Sequence, residues 1–181
     1  MAYAAAHPGR VRRLVLASTL PRFGPDQEKA MRSGMDRRAG QPWYADAVAA
    51  LEEEQAGRFE SDQQLSELVF RELPLYFAHF GPAEAGYLET LKREPVNADA
   101  LKLFNVEIFT TFDLRDRLPA ISAPTLVITG DEDFICGPVC AEEICAGVND
   151  ARMVITGDSG HMVFVEQPQP FHDEVAAFLE P

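Results

Sequence analysis

The sequence is short of cysteines, of basic residues and of long apolar runs, and each shortage removes a class of protein. Its three cysteines, Cys136, Cys140 and Cys145, form one odd-numbered local group. Such a group supplies no disulfide framework. Without a C-x-x-C pair or histidines at matching spacing it supplies no metal site either. All three read as small helix side chains kept reduced. Lys and Arg number 16 against 29 Asp and Glu, giving a net charge of −13. That balance lacks the basic footprint of a nucleic-acid partner. Nowhere do the ~18 consecutive apolar residues of a membrane helix run together, so no membrane partner is expected. The alanine-rich start, Met1 to His7, has no basic residue ahead of it and makes a poor secretion signal. A cytoplasmic protein is the expectation. Repeats and low-complexity tracts are absent as well. What remains, 46% hydrophobic and 25% charged, is the composition of an ordinary globular chain.

Three short runs read as strands: Val11 to Ser18, Thr125 to Thr129 and Arg152 to Thr156. They are β-branched and do not alternate, which suits strands covered on both faces of a parallel sheet. A helix is predicted from Pro138 to Ala146. Another runs from Pro168 to Leu179, with Phe171, Val175, Phe178 and Leu179 on one face. Strand and helix in alternation mark an α/β fold. Between the first two strands, Leu20 to Ala123 is helical in character. Ser61-Asp62-Gln63-Gln64 is a capping-box start, followed by Leu65, Leu68, Val69 and Leu73 at helical spacing. Pro82 opens a helix carrying Tyr87, Leu88 and Leu91, and a third runs from Ala98 to Phe109. Pro42-Trp43-Tyr44 and Pro74-Leu75-Tyr76-Phe77 are aromatic patches, read as core at helix junctions rather than as pocket lining. Met1 to His7 reads as the end of a helix. It has no capping residue before it and would be marginal alone, so the chain has either a frayed tail or a lost beginning.

Two segments carry chemistry. Gly130-Asp131-Glu132-Asp133 follows the second strand, and Asp158-Ser159-Gly160-His161 follows the third. In open α/β sheets, ligand chemistry gathers at the carboxyl ends of strands. A carboxylate there orients one imidazole nitrogen and leaves the other to take a proton. Taken singly, the aspartates read equally well as turn or cap residues, and the histidine as a surface group.

The order of these pieces resembles the α/β-hydrolase family. His7-Pro8-Gly9-Arg10-Val11 matches a helix end leading into a strand, and Leu14 to Thr19 matches that strand. Pro124-Thr125-Leu126 matches the re-entry strand ending in Gly130 to Asp133. Ser159-Gly160-His161 and Val163-Phe164-Val165-Glu166-Gln167-Pro168 complete the pattern. The resemblance implies an incomplete α/β-hydrolase fold: the last three parallel strands with flanking helices, plus an inserted helical cap. Residues 1–19 would be core, 20–123 the cap and 124–181 the core's C-terminal part. It implies Asp133 as the triad acid and His161 as the general base. Asp131, one residue after Gly130 instead of three, is the runner-up acid, and Asp158 is expected to order the histidine loop. His7, His79 and His172 read as structural or solvated. Tyr76-Phe77 and Phe112 to Leu118 resemble the proline iminopeptidase-like branch.

The family's nucleophile is a serine in G-x-S-x-G, and this sequence contains no such motif. Ser159 has a similar neighbourhood but stands two residues from His161, and Ser18 lacks the flanking glycines. The resemblance would put the missing elbow roughly 5–10 residues before Met1. It therefore implies a serine-type hydrolase of ester or amide bonds, present as a truncated chain that lacks its nucleophile and is inactive alone. The alternative is a non-catalytic half-protein or remnant, or one half of a split hydrolase. The partner expected is a small ester or amide substrate, with no metal or organic cofactor. Glu67, Glu72, Glu84 and Glu89 are candidates to hold a substrate amino group, although solvated helix faces explain them more simply. The unpaired first strand is expected to promote self-association.

Overall fold

The computed structural model describes residues 1–92, 96–109 and 111–180. Three parallel strands pair in the order β1 (Leu14–Ala17), β2 (Thr125–Gly130), β3 (Ala151–Thr156). Leu14 sits beside Thr125, and Thr125 beside Ala151, so the carboxyl ends of all three strands finish along one rim. β2 is buried over its whole length, as its unbroken apolar run predicts. β3 departs from that expectation: Arg152, Met153 and Ile155 are exposed. Val154 is half-buried and Thr156 buried, and Ala151 packs against the core that the helix between β2 and β3 shares, so β3 is covered only in part.

Helix α1 (Ala2–Ala6) buries Ala4 against Leu16, Leu118, Val127 and Ile144. Helix α7 (Pro138–Gly147) connects β2 to β3 and buries Cys140, Ala141 and Ile144. A short helix α8 (Val163–Glu166) leads into α9 (Pro168–Leu179). The predicted apolar face of α9 forms, yet none of its residues is buried. It is fastened instead near its C-terminus by Arg13 on the Phe178 carbonyl and at mid-helix by an Arg152–Glu174 ion pair, both at 2.6 Å.

Between β1 and β2 lie α2 (Pro25–Asp36), α3 (Tyr44–Gln55), α4 (Asp62–Glu72), α5 (Pro82–Leu91) and α6 (Ala98–Leu103). The Ser61 hydroxyl caps α4 by accepting from the Gln64 amide at 3.3 Å. The Gln64 side chain reaches back to the Glu60 amide at 2.6 Å, one residue earlier than the usual reciprocal partner. The helix expected to run unbroken to Phe109 widens into a π-helical turn over Phe104–Phe109. Such turns are rare and cluster at functional sites. The start and end of the insertion lie side by side. Arg22 bridges antiparallel to Asp113 and binds Asp26 at 2.6 Å and Glu143 of α7 at 2.9 Å. Met31, Met35, Ala47, Leu51 and Leu75 close on Phe134, which belongs to the loop after β2. The insertion thus packs on the rim itself.

Gly130 ends β2 under the histidine loop. A Cβ there would lie 2.1 Å from the Ser159 carbonyl oxygen and 2.3 Å from that of Gly160. Both contacts are backbone, which cannot swing aside. Gly130→Ala is expected to cost about 3 kcal/mol by overpacking, read as a lower urea midpoint; an unchanged midpoint would show that the loop is not held against β2.

Candidate active site

The turn after β2 makes Asp133 an acceptor on all sides. Its Oδ1 accepts the amides of Ile135 at 3.0 Å and Cys136 at 2.9 Å. Its Oδ2 lies 3.0 Å from His161 Nδ1 and 3.4 Å from the Thr129 hydroxyl. The Asp133 side chain is wholly enclosed, and a buried carboxylate is tolerated only when its lone pairs are met in this way. Paired through Nδ1, His161 leaves Nε2 as the ring nitrogen not engaged by Asp133. No partner for Nε2 occurs among the described residues. His161 lines an opening of about 450 Å³ with Ser18, Thr19, Tyr76, Phe112 and Cys136.

The histidine loop is ordered differently from expectation. Asp158 adopts a left-handed backbone, with φ of 51°, and its side chain is exposed. Its carbonyl, not its carboxylate, is the bonded group, accepting from Gln167 at 3.3 Å. The carboxylates that order the loop belong to Asp131 and Glu166. Asp131 accepts the Ser159 amide at 3.3 Å, and Glu166 accepts the Gly160 amide at 2.6 Å. Asp131 is therefore occupied away from the imidazole. Ser159 is fully buried and its hydroxyl has no partner, so it is not bonded to His161. Ser18 also has an unpartnered hydroxyl and a left-handed backbone, with φ of 42°. His7, His79 and His172 are exposed and stand apart from the Asp133–His161 pair.

One acid of the insertion departs from its reading as a solvated face. Glu72 is buried, and its Oε2 has no partner. Its Oε1 accepts from the Tyr76 hydroxyl at 3.4 Å. Burial, reinforced by the Glu54 charge, pushes Glu72 up to about 8. Glu54 is itself buried and raised by burial, with Asn105 bonding it at 3.3 Å. Glu54 and Tyr76 line a cavity of about 340 Å³ with Met31, Leu51, Phe104 and Phe109. The Tyr76 ring stands edge-on to His161, with centroids 5.4 Å apart. Burial and the charges of Glu72 and Glu54 drive its phenol well above the ordinary value. A signal for Glu72 exists in the sequence: it continues the stripe of Leu65, Leu68 and Val69. Glu67 and Glu89 are exposed, as expected, while Glu84 is half-buried and bonds the Gly81 amide.

Asp133, Cys136 and His161 bring donor atoms within 4.8 Å of one another, the one such cluster among the described residues. Two of the three already bind each other. Burial pushes the Cys136 thiol well up and the Cys140 thiol to about 11, which keeps both protonated. The cluster therefore has the chemistry of an acid–base pair with a thiol beside it.

The parallel sheet, with an imidazole and a buried carboxylate paired at its strand ends, defines an α/β protein. The chain belongs to the α/β-hydrolase fold family, whose model matches residues 1–168. It is similar to a proline iminopeptidase of Pestalotiopsis fici, 27% identical over 98% of this chain and 62% of that protein. It is similar also to a pimeloyl-[acyl-carrier protein] methyl ester esterase of Stenotrophomonas maltophilia, with the same identity and coverages. Among solved structures, an α/β fold family hydrolase of Bacillus anthracis superposes with a TM-score of 0.72 at 17% identity, over 98% of this chain and 62% of that one. The chain thus spans about three-fifths of the length of these relatives. No helix among the described residues is long and apolar enough to cross a membrane.

Glu72 gives the fold a pH dependence with a definite sign. In the folded chain it holds its proton up to about 8, whereas its ordinary value is 4.5. Unfolding releases that proton between these values, so stability falls as pH rises through the window, by up to about 1.4 kcal/mol per unit. Below the ordinary value the penalty vanishes. The urea midpoint of the native sequence should fall from about pH 5 to pH 8 more steeply than that of Glu72→Gln; equal slopes would show that Glu72 is not held protonated.

Proposed function

We propose that this chain carries the acid and base of a serine-type hydrolase that cleaves ester or amide bonds through an acyl-enzyme. The observation that carries the reading is the 3.0 Å contact between buried Asp133 and His161, with Nε2 unpartnered. His161 Nε2 takes the proton of an attacking serine, and Asp133 stabilises the imidazolium so formed. His161 then returns the proton to the leaving group. In the second half it activates water against the acyl-enzyme and restores the serine. The helical insertion serves as the cap over this site.

The serine comes from polypeptide outside these 181 residues, either upstream on the same chain or in trans. This rests on the absence of G-x-S-x-G and on the three-fifths span against the relatives. The outer edge of β1 is where a further parallel strand would pair, bringing an elbow to the rim that holds His161. Glu54 and Glu72 favour a substrate bearing an amino group, consistent with the iminopeptidase named among the relatives. An arriving ammonium would lower the Glu72 pKa so that its proton leaves to solvent, and a neutral amine would take that proton itself; either way a buried ion pair results. The contained free thiols suit a cytoplasmic setting. The second reading, a non-catalytic half-protein or remnant, draws on the lack of any serine hydroxyl bonded to His161.

Two experiments test these claims. The chain alone should hydrolyse a p-nitrophenyl ester at background rate. A longer polypeptide supplying the elbow should turn it over and lose about 10⁴-fold on His161→Ala. Activity that survives His161→Ala would sink the mechanism; ester hydrolysis by the chain alone, lost on His161→Ala, would sink the claim of a missing nucleophile. In the active form Glu72→Gln should raise KM for an aminoacyl substrate and spare the neutral ester. The second experiment concerns β1. Its Leu14 amide and the Ser18 amide beyond it point to β2, so those of Val15 and Ala17 point outward. The isolated chain is expected to sediment as a dimer or larger, and Val15→Pro to return it to monomer by blocking only the free edge. A native chain that sediments as a monomer would refute edge pairing.

A further inference from the structure

Tyr76, the last residue of a 3-10 turn (Leu73–Tyr76), and the bends at Phe77 to His79 form a strap of the insertion across the histidine loop. The loop and the strap are joined by backbone contacts on two levels. The His161 amide donates to the Tyr76 carbonyl at 2.8 Å. Gly160 passes so close beneath that a Cβ would lie 2.6 Å from the Tyr76 oxygen and 2.8 Å from the Ala78 nitrogen. A single carboxylate then spans both segments. Glu166 Oε1 accepts the amides of Ala78 at 2.8 Å and His79 at 3.1 Å, while Oε2 accepts the Gly160 amide at 2.6 Å. On the other side of the strap, the buried Arg38 guanidinium donates to the Phe77 carbonyl at 2.9 Å and to the Glu132 carbonyl at 3.1 Å. The strap is therefore tied to the residue before Asp133 and to the residue before His161.

We propose that Glu166 is a positioning residue for His161, latching the cap strap to the histidine loop so that the imidazole is held with Nδ1 on Asp133. The inference rests on His161 acting as the base, as set out above. Only a carboxylate serves here. Three amide donors converge on its two oxygens, and both oxygens must accept. A glutamine offers one accepting oxygen and one NH₂. Whichever way it turns, its NH₂ meets either the strap amides or the Gly160 amide, donor against donor. One half of the latch is then lost without any change in size. Because Gly160 immediately precedes His161, freeing that amide loosens the backbone that aims the ring. The same latch ties cap position to ring position, since one 3-10 turn joins the strap to α4 and its Glu72.

The test reads the imidazole itself. In the longest expressible polypeptide that contains these residues, ¹⁵N spectra above the histidine titration report which nitrogen carries the proton. The native protein should show the Nδ1–H tautomer for His161. Glu166→Gln should give a mixture with Nε2–H, and amide exchange at Ala78, His79 and Gly160 about tenfold faster. Glu166→Asp, which keeps both acceptors on a stem one methylene shorter, should move both readings the same way by less. Glu174→Gln, which removes only the surface pair with Arg152, should move neither. Asp133→Asn provides the separating arm, because it must abolish the Nδ1–H preference if the acid–base pair exists. Should Asp133→Asn change the tautomer while Glu166→Gln does not, the positioning role is overturned and the acid–base reading stands. Should neither change it, the acid–base reading fails and takes the positioning role with it. Faster exchange in Glu166→Gln with an unchanged tautomer would make Glu166 a structural tie only, and also overturns the proposal.

Discussion

The molecule is organised around keeping one carboxylate out of water. Asp133 has no exposed side-chain surface, and an ionisable group so placed must find a donor for each accepting direction. The turn after β2 supplies two amides, the strand end supplies Thr129, and the remaining direction is left to His161. That arrangement demands a tight approach of the loops after β2 and β3. The approach is possible because Gly130 and Gly160 have no side chains at the two points where backbone meets backbone. Parallel pairing brings both strand ends to the same rim, so one register serves the acid and the base together. Thr129 has a second duty. Its single hydroxyl proton goes mainly to the Cys136 carbonyl at 2.8 Å, which closes the turn whose amides hold Asp133, and the 3.4 Å contact with Asp133 is the weaker share.

The insertion cannot be separated from this arrangement. Phe134, next to Asp133, is buried in the insertion's core with Met31, Met35 and Leu75. Gly34 of α2 lies so near that a Cβ would come within 2.8 Å of the Phe134 Cβ. The guanidinium of Arg38, its charge disfavoured by burial, is stabilised by three carbonyls and the nearby Glu132. Helices that merely decorated the sheet would not extend contacts of this kind to both loops. Their placement brings the insertion to His161: Tyr76 packs against the imidazole with its ring and reaches Glu72 with its hydroxyl.

Much of this was legible in the sequence, and the rest was hidden for physical reasons. Strand identity came through because β-branched runs closed by glycine leave few alternatives, and β2 and β3 fall within a residue of expectation. Asp133 and His161 were legible only as the ends of those strands and through the order of motifs around them. The cover on β3 was not legible, because apolar content predicts a preference for burial and not the presence of a covering layer. Asp158 was expected to order the loop through its carboxylate. A left-handed backbone turns that side chain outward, and the task passes to Asp131 and Glu166, which are remote in sequence from the groups they bind. Glu72 was misread by its type. Its spacing with Leu65 and Leu68 placed it on the buried stripe, while its charge argued for solvent, and here spacing prevailed.

A carboxyl buried with an unpartnered oxygen costs roughly 1–3 kcal/mol in desolvation, and packing gains nothing from it that a leucine would not provide. Glu72 bears this cost beside a second buried acid, which repels its charged form. Glu54 and Tyr76 line a cavity with Phe104 and Phe109 of the widened turn, and Glu72 bonds Tyr76. A fold of marginal stability retains such an arrangement when something offsets it. A bound cation does so directly. Such a cation would lower the Glu72 pKa until its proton leaves to solvent, and would offset the repulsion from Glu54. On the proposed reading, the ionisation that penalises the empty chain is the interaction that would favour a substrate carrying a positive charge.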